Sequence, residues 1–544
     1  MKSLGTTILT ACVTLGLSVS LHAAATVHCG ATLGTRFNLE PAASAVPQEM
    51  ESLDFIPNRV ALNEDLVVAG AFDSRGTTFA QPSTRTNWDG SVSGYYVRRA
   101  ATTSCAPQFE GGLPAFTANG NSFSSNGGVV IAADPARDAF FAVDLRYSPG
   151  LGGFSAIGLF RASSATLLNA TLCPNGTHTT AQATSCWMAT HPAIIGPTPS
   201  GGINNADDYP SLAVDERPTT AGKGAGNVYV AYVGSIGNGI VGVELVACTN
   251  ATLSCSKPVT VSAVGESVFF SGASNGNVQV RPDGKITVTY MDQTSNTDAA
   301  VELVQFVSCT PAGAPTAPVC TAPTTVATEK QSFGTFVNNQ ALSSQNMLAY
   351  TNSRHAHRLE ADGKTITTFV VWDRCAEYFT FVGGLGTNGI SLCLNADVVM
   401  STSTNDGASW SAVTGVNTGG GHQFFPSIST DASTGTVNIA YYNTGHDPLH
   451  KRIVVSLNQI APGTTTVGAP ILLTTTPIPW DADPNQSALP LDDFDFHFGI
   501  KARGMGTAGF SRVYASFTST GDRFGIYKGL PMPEQNNNLQ EVTY

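Results

Sequence analysis

The stretch FFPSISTDASTGTVNIAYY, residues 424–442, reads as two β-strands around a short turn. Strand-forming residues fill both halves, and Asp431 and Gly435 punctuate the middle. The second half, from Val437 to Tyr442, is far more apolar than the first. The same pairing recurs along the chain. DYPSLAVD (208–215) precedes GNVYVAYV (226–233), and GNVQVRPDG (276–284) runs into KITVTYMD. GGVVIAADP (127–135) precedes DAFFAVD, and HRLEADG (357–363) runs into KTITTFVVWD. PNRVALNED (57–65) runs into LVVAGAFD, and HFGIKARG (497–504) precedes RVYASFTS. The seven copies lie roughly 55 to 90 residues apart.

Two more candidate strands follow each pair, such as GIVGVELVAC (239–248) and KPVTVSAV (257–264). Four antiparallel strands per unit, repeated radially, make a propeller blade, and seven units fall within the usual ~4–8 blades. Tandem β-sandwiches of ~100 residues each are the alternative. The short, rather even spacing favours the propeller. The expectation is an all-β, seven-bladed β-propeller over residues 26–530. The final copy lacks a fourth strand, and residues 531–544 look too polar to supply one. The segment ATLGTRFNLEP (31–41) is therefore expected to complete the last blade and cover its edge.

Residues 1–25 read as a signal peptide, with Lys2, an apolar run and small residues near Ala23–Ala25. LTAC (9–12) also offers a lipoprotein pattern, but the apolar run before Cys12 is short, so simple secretion is expected. No other run is long enough to span a bilayer. Charged residues make up only 12% of the 544, and the net charge of −12 argues against nucleic acid. Cleavage would remove one of the eleven cysteines, and an even number in an exported chain points to disulfides. Local spacing pairs Cys173 with Cys186, Cys248 with Cys255, Cys309 with Cys320 and Cys375 with Cys393. Cys29 and Cys105 remain as a pair joining the N-terminal segment to the first unit.

The stretch STNDGASW (403–410) resembles the Asp-box of the sialidase-like, or BNR-repeat, propellers. Ser403, Gly407 and Trp410 match that pattern, Asn405 stands where Asp is usual, and Ser409 replaces Thr. The resemblance implies a turn between the third and fourth strands on a blade's outer rim. Asn can fold back onto backbone amides, Gly accepts a positive φ, and Trp packs between strands. It is expected to act as a staple, as the cysteine pairs do at the same position of the third and fourth copies.

Ligands of propellers commonly bind where the innermost strands begin, near the axis. That rule selects Arg59, Asp208, Tyr209, Asn277, His355, His357, Arg358 and His422 as ligand-binding candidates. DDFDFHFG (492–499) is the richest approach. Strand alternation puts Asp493, Asp495 and His497 on one face, a set suited to proton transfer or to a divalent cation such as calcium. No cofactor motif appears. Resemblance to sialidases implies three arginines around a carboxylate and a Tyr–Glu nucleophile pair. IPNRVAL lacks the usual Arg-Ile-Pro order at Arg59, and Arg281 and Arg503 sit near the ends of first strands, where they need not reach the axis. GxSxG, HExxH and phosphate-loop patterns are missing. Three functions remain: an extracellular propeller binding a glycan or cell-surface protein, a glycoside hydrolase or polysaccharide lyase acting through funnel Asp and His residues, or a structural part of a cell-envelope assembly.

Overall fold

The computed structural model describes residues 37–38, 48–61, 64–73, 93–100, 105–118, 121–125, 127–148, 154–173, 186–187, 193–195, 208–237, 240–262, 273–292, 301–330, 353–380, 391–417, 419–448, 452–474, 478–479, 499–504, 511–527 and 530–543. Antiparallel sheets of four to six strands dominate it. Six sheets are built from contiguous stretches of chain, and one, the terminal sheet, joins the two ends. The innermost strands, in order, are Gln48–Ala61, Val130–Asp134, Asp208–Val214, Ala273–Val280, Arg354–Leu359, Gln423–Thr430 and, in the terminal sheet, Gly499–Gly504.

Apolar side chains fill the spaces between consecutive sheets. Tyr95, Phe140 and Trp187 lie between the first and second, Phe141 and Tyr232 between the second and third, and Tyr229 and Tyr290 between the third and fourth. Further cores join the fourth to the fifth, the fifth to the sixth and the sixth to the terminal sheet. The last, with Leu53, Phe55 and Tyr514, joins the terminal sheet back to the first. Sheets packed face to face around a common axis make a β-propeller. This packing explains the very apolar second strands. Ile286–Asp292 and Val437–Asn443 are buried at every position because neighbouring sheets cover both faces.

Innermost strands splay around the axis and do not pair with one another, so short polar side chains bridge them. The Ser52 hydroxyl donates to the Val129 carbonyl and accepts from the Ile131 amide. Ser211 accepts from Val278 N, the Asn277 side chain from His355 N, and Ser429 from Ala502 N. Each contact satisfies an edge amide that has no ladder partner.

The Asp-box-like turn follows the third strand of the fifth sheet, Ser391–Ser403, and precedes the fourth, Thr414–Gly415. Ser403 Oγ accepts from Gly407 N at 3.0 Å, and Asn405 Oδ1 accepts from Ser409 N at 3.0 Å. Gly407 has φ +79°, and a Cβ there would sit 2.5 Å from the Phe306 ring of the fourth sheet. Trp410 packs edge-on to the same ring, with centroids 5.2 Å apart. Asp406 reaches across to Arg281, Lys285 and Ser308 of that sheet. The turn is thus a staple between two sheets. Asn405→Ala, which removes three side-chain bonds but leaves the turn exposed, is expected to cost about 1 kcal/mol in urea unfolding. A loss above about 3 kcal/mol would mean the side chain holds more than its own turn.

Three expected disulfides are present: Cys173–Cys186, Cys248–Cys255 and Cys309–Cys320. Cys375 is disulfide-bonded, while the side chain of its expected partner Cys393 lies outside the described residues. Cys29 and the Cys105 side chain also lie outside them. The polar C-terminal segment corrects the sequence expectation. Leu530–Thr543 is a strand, paired along its length with Ser511–Tyr527. An outer strand needs a backbone ladder more than it needs apolar side chains. Phe37–Asn38 pairs with that strand, across from Leu539 and Asn538. Among the described residues no helix is long and apolar enough to cross a membrane.

Candidate functional site

The innermost strands enclose a cavity of about 790 Å³, to which every sheet contributes. Four charged side chains meet across it. Arg503, at the end of the terminal sheet's inner strand, donates to both oxygens of Asp54 in the first sheet, at 2.8 and 3.0 Å. The same guanidinium pairs with Glu216, beyond the end of the third sheet's inner strand, at 2.5 Å. Lys501 approaches Asp54 at 3.3 Å and Glu216 at 3.8 Å.

The electrostatics follow from burial and pairing. Burial alone would push the Asp54 carboxyl up. The charges of Arg503 and Lys501 and the Ala133 amide outweigh it and hold the group below its usual range. Burial opposes the Arg503 charge, but Asp54 and Glu216 hold the guanidinium ionised above its usual range. Asp54 is thus held ionised by the cations it pairs with, so it is not poised as a proton donor.

A second polar group lines the fifth sheet's side of the cavity. His355 Nε2 and His357 Nε2 each lie 2.7 Å from Thr287 Oγ. Their Nδ1 atoms lie 3.0 Å from Thr289 Oγ and Thr368 Oγ respectively. The Thr287 hydroxyl has one proton and also reaches the Gln279 carbonyl at 3.4 Å, so it donates to at most one imidazole and accepts from at least one. Burial, then Arg354, lowers His355 to about 3; burial, then His355 and Arg281, lowers His357 well below its ordinary value. Both are neutral imidazoles at physiological pH.

The structure redistributes the sequence candidates. Asn277, His355 and His357 line the cavity. Arg59 does not: it pairs with Asp138 of the second sheet, because the innermost segment of the first copy lies upstream, around Asp54. Arg358 also points between sheets, donating to the Ala461 and Thr464 carbonyls. His422 accepts from Ala396 N between the fifth and sixth sheets. Asp208 begins the third sheet's inner strand and Tyr209 follows it, but their side chains lie outside the described residues, as do Asp493, Asp495 and His497 entirely. Arg281 and Arg503, whose position near the ends of first strands did not require them to reach the axis, both line the cavity. Sequence reasoning missed Asp54, Glu216 and Lys501. The available signal was a charge at the end of each inner strand, as in Asp215-Glu216-Arg217 and Lys501-Ala502-Arg503. Among the described residues no cluster of three or more His, Cys, Asp or Glu is arranged to hold a metal ion.

Fold and cavity together define the class: a β-propeller with a ligand-sized axial pocket. No family model matches the sequence, and no curated protein matches it. Among solved structures the chain is similar to a Hadza microbial sialidase, Hz136, at 9% identity over 88% of this chain and 76% of that one, with a TM-score of 0.38. It is similar to the GH93 α-L-arabinofuranosidase of Fusarium graminearum at 9% identity over 78% and 97%, TM-score 0.39. A PL25 ulvan lyase aligns at 10% identity over 95% and 94%, TM-score 0.39. The propeller assignment rests on this chain's own sheets and cores.

Proposed function

We propose that the chain is an exported, seven-bladed, sialidase-like propeller that binds a glycan in its axial cavity without cleaving it through the charged cluster there. Residues 1–25 direct export, and Phe37–Asn38 closes the ring as the outermost strand of the last blade. The observation that carries the binding role is the Asp54–Arg503–Glu216–Lys501 cluster. Its carboxylates are neutralised in place, while hydroxyl, amide and cationic donors ring a pocket of about 790 Å³. Such a wall suits a polyhydroxylated ligand that needs many directed hydrogen bonds.

A second reading keeps the enzyme. Asp493, Asp495 and His497 immediately precede the strand that brings Lys501 and Arg503 to the cavity, so a hydrolase or lyase centre would be built on that approach. One panel separates the two. Purified protein is titrated calorimetrically with neutral and acidic polysaccharides while new reducing ends and unsaturated products are assayed. Binding without product, weakened about tenfold by Lys501→Met, supports the proposal. Product formation abolished by Asp495→Ala or His497→Ala replaces it with the enzyme. Failure of the folded protein to bind any member of the panel overturns both.

A further inference from the structure

The turns that follow the inner strands carry a repeated device. In the second sheet, Arg137 pairs with Asp134 at 2.8 Å and donates to the Arg217 carbonyl of the third sheet at 2.8 Å. In the third sheet, Arg217 pairs with Asp215 at 2.7 Å and donates to the Asp283 carbonyl of the fourth at 2.7 Å. Each guanidinium fills a notch between adjacent sheets, neutralising a buried carboxylate and satisfying a carbonyl across the gap. The next sheet makes room with glycine: a Cβ on Gly226 would lie 2.6 Å from Arg137, and one on Gly284 1.8 Å from Arg217.

The sixth sheet repeats this turn without the arginine. Asp431 N donates to the carbonyl of Thr436, just before the second strand, as Asp215 N does to that of Asn227. Two residues on, where the third sheet has Arg217, stands Ser433. Ser433 N and Oγ donate to Asp431 Oδ1 at 2.8 and 2.7 Å. Asp431 is 0% exposed, and its Oδ2 has no hydrogen-bond partner. Glycine again forms the far wall: a Cβ on Gly504 would lie 2.1 Å from Ser433 Oγ and 3.5 Å from Asp431 Oδ1. Arg503, the neighbouring cation, is committed to Asp54 and Glu216. Asp431, Ser433 and Gly504 all line the axial cavity.

A buried carboxylate oxygen with no partner is costly, and the equivalent oxygens of Asp134 and Asp215 are matched by a positive charge. We propose that a hard metal cation of the calcium type occupies the notch between the sixth and terminal sheets, with Asp431 Oδ2 as its charged ligand. The Ser433 hydroxyl and waters from the cavity supply further oxygen donors. A single carboxylate places the site in the weak class, with Kd on the order of 10⁻⁴ to 10⁻³ M, suited to extracellular calcium. This inference does not depend on glycan binding.

The test uses the whole protein, stripped with a chelator and dialysed. Its thermal midpoint is followed against CaCl₂, MgCl₂ and NaCl at matched ionic strength, for wild type, Asp431→Asn and Ser433→Arg. Calcium at several millimolar is expected to raise the wild-type midpoint by at least about 1 °C, with less effect from magnesium or sodium. Asp431→Asn should lose that rise. Ser433→Arg, which rebuilds the Asp215–Arg217 pair in the sixth sheet, should match calcium-loaded wild type without metal and no longer respond. A calcium response unchanged in Asp431→Asn, or no response in wild type, overturns the proposal. A response only to sodium would overturn the calcium assignment.

Discussion

Replacing Asp65 by alanine is expected to cost about 3–5 kcal/mol of folding stability, measured as a fall in the urea unfolding midpoint. Asp65 lies in the first sheet's second strand, and its partners Arg512 and Tyr514 lie in the terminal sheet. Arg512 Nη1 approaches Asp65 Oδ2 at 2.6 Å, and the Tyr514 hydroxyl donates to the same oxygen at 2.9 Å. Asp65 Oδ1 accepts from Asn58 N at 2.8 Å. Asp65 and Arg512 are both fully buried. Truncating the acid strips a buried guanidinium of its carboxylate at the seam where the ring closes. Phe55 and Tyr514, edge-on with centroids 4.7 Å apart, would then hold that seam with less help. The double change Asp65→Leu with Arg512→Met removes the stranded charge and should recover much of the loss. A cost below about 1 kcal/mol for Asp65→Ala would show that the two ends do not close on each other through this pair.

The second large effect is acid destabilisation through His355 and His357. In the unfolded chain both imidazoles take up a proton near pH 6.5. In the folded protein burial holds both neutral far below that, to about 3 for His355. The unfolded state therefore binds more protons over this window. The stability due to the neutral pair is fully present above about pH 6.5 and is lost as pH falls toward about 3. Each histidine contributes a slope of up to about 1.4 kcal/mol per pH unit within it. Urea unfolding between about pH 7 and 5 should show a steeper loss for wild type than for the variant His355→Gln with His357→Gln. The glutamines do not titrate and retain hydrogen-bonding groups for Thr287, Thr289 and Thr368. Parallel pH dependences for the two proteins would rule out this account.

Much of the architecture was legible because its causes are local. The paired runs before and after Asp215 and Asp431, the box at Ser403–Trp410 and three short-range disulfides each depend on residues within about twenty positions of one another. Legibility failed where a turn departed from the common length. In sequence the first copy starts at Pro57, whereas the ladder aligns Leu53–Ile56 with Leu66–Ala69, which leaves Arg59 in the connection. It failed again at the C-terminus, where polar residues 530–543 form a strand through backbone pairing that composition does not report.

From sequence alone came the strands, their grouping into repeated units and the turns that staple them, since alternation, glycine placement and side-chain-to-backbone bonds act over a few residues. Only the tertiary structure decided which polar groups face the axis. Asp54 meets Arg503 from 449 positions away, and Arg503 meets Glu216 across 287. The same kind of charged residue at the end of an inner strand becomes an inter-sheet clamp at Arg358 and part of the cavity wall at Arg503. The choice depends on which partner the neighbouring sheet presents, and that is set by closing the ring, which no local pattern encodes.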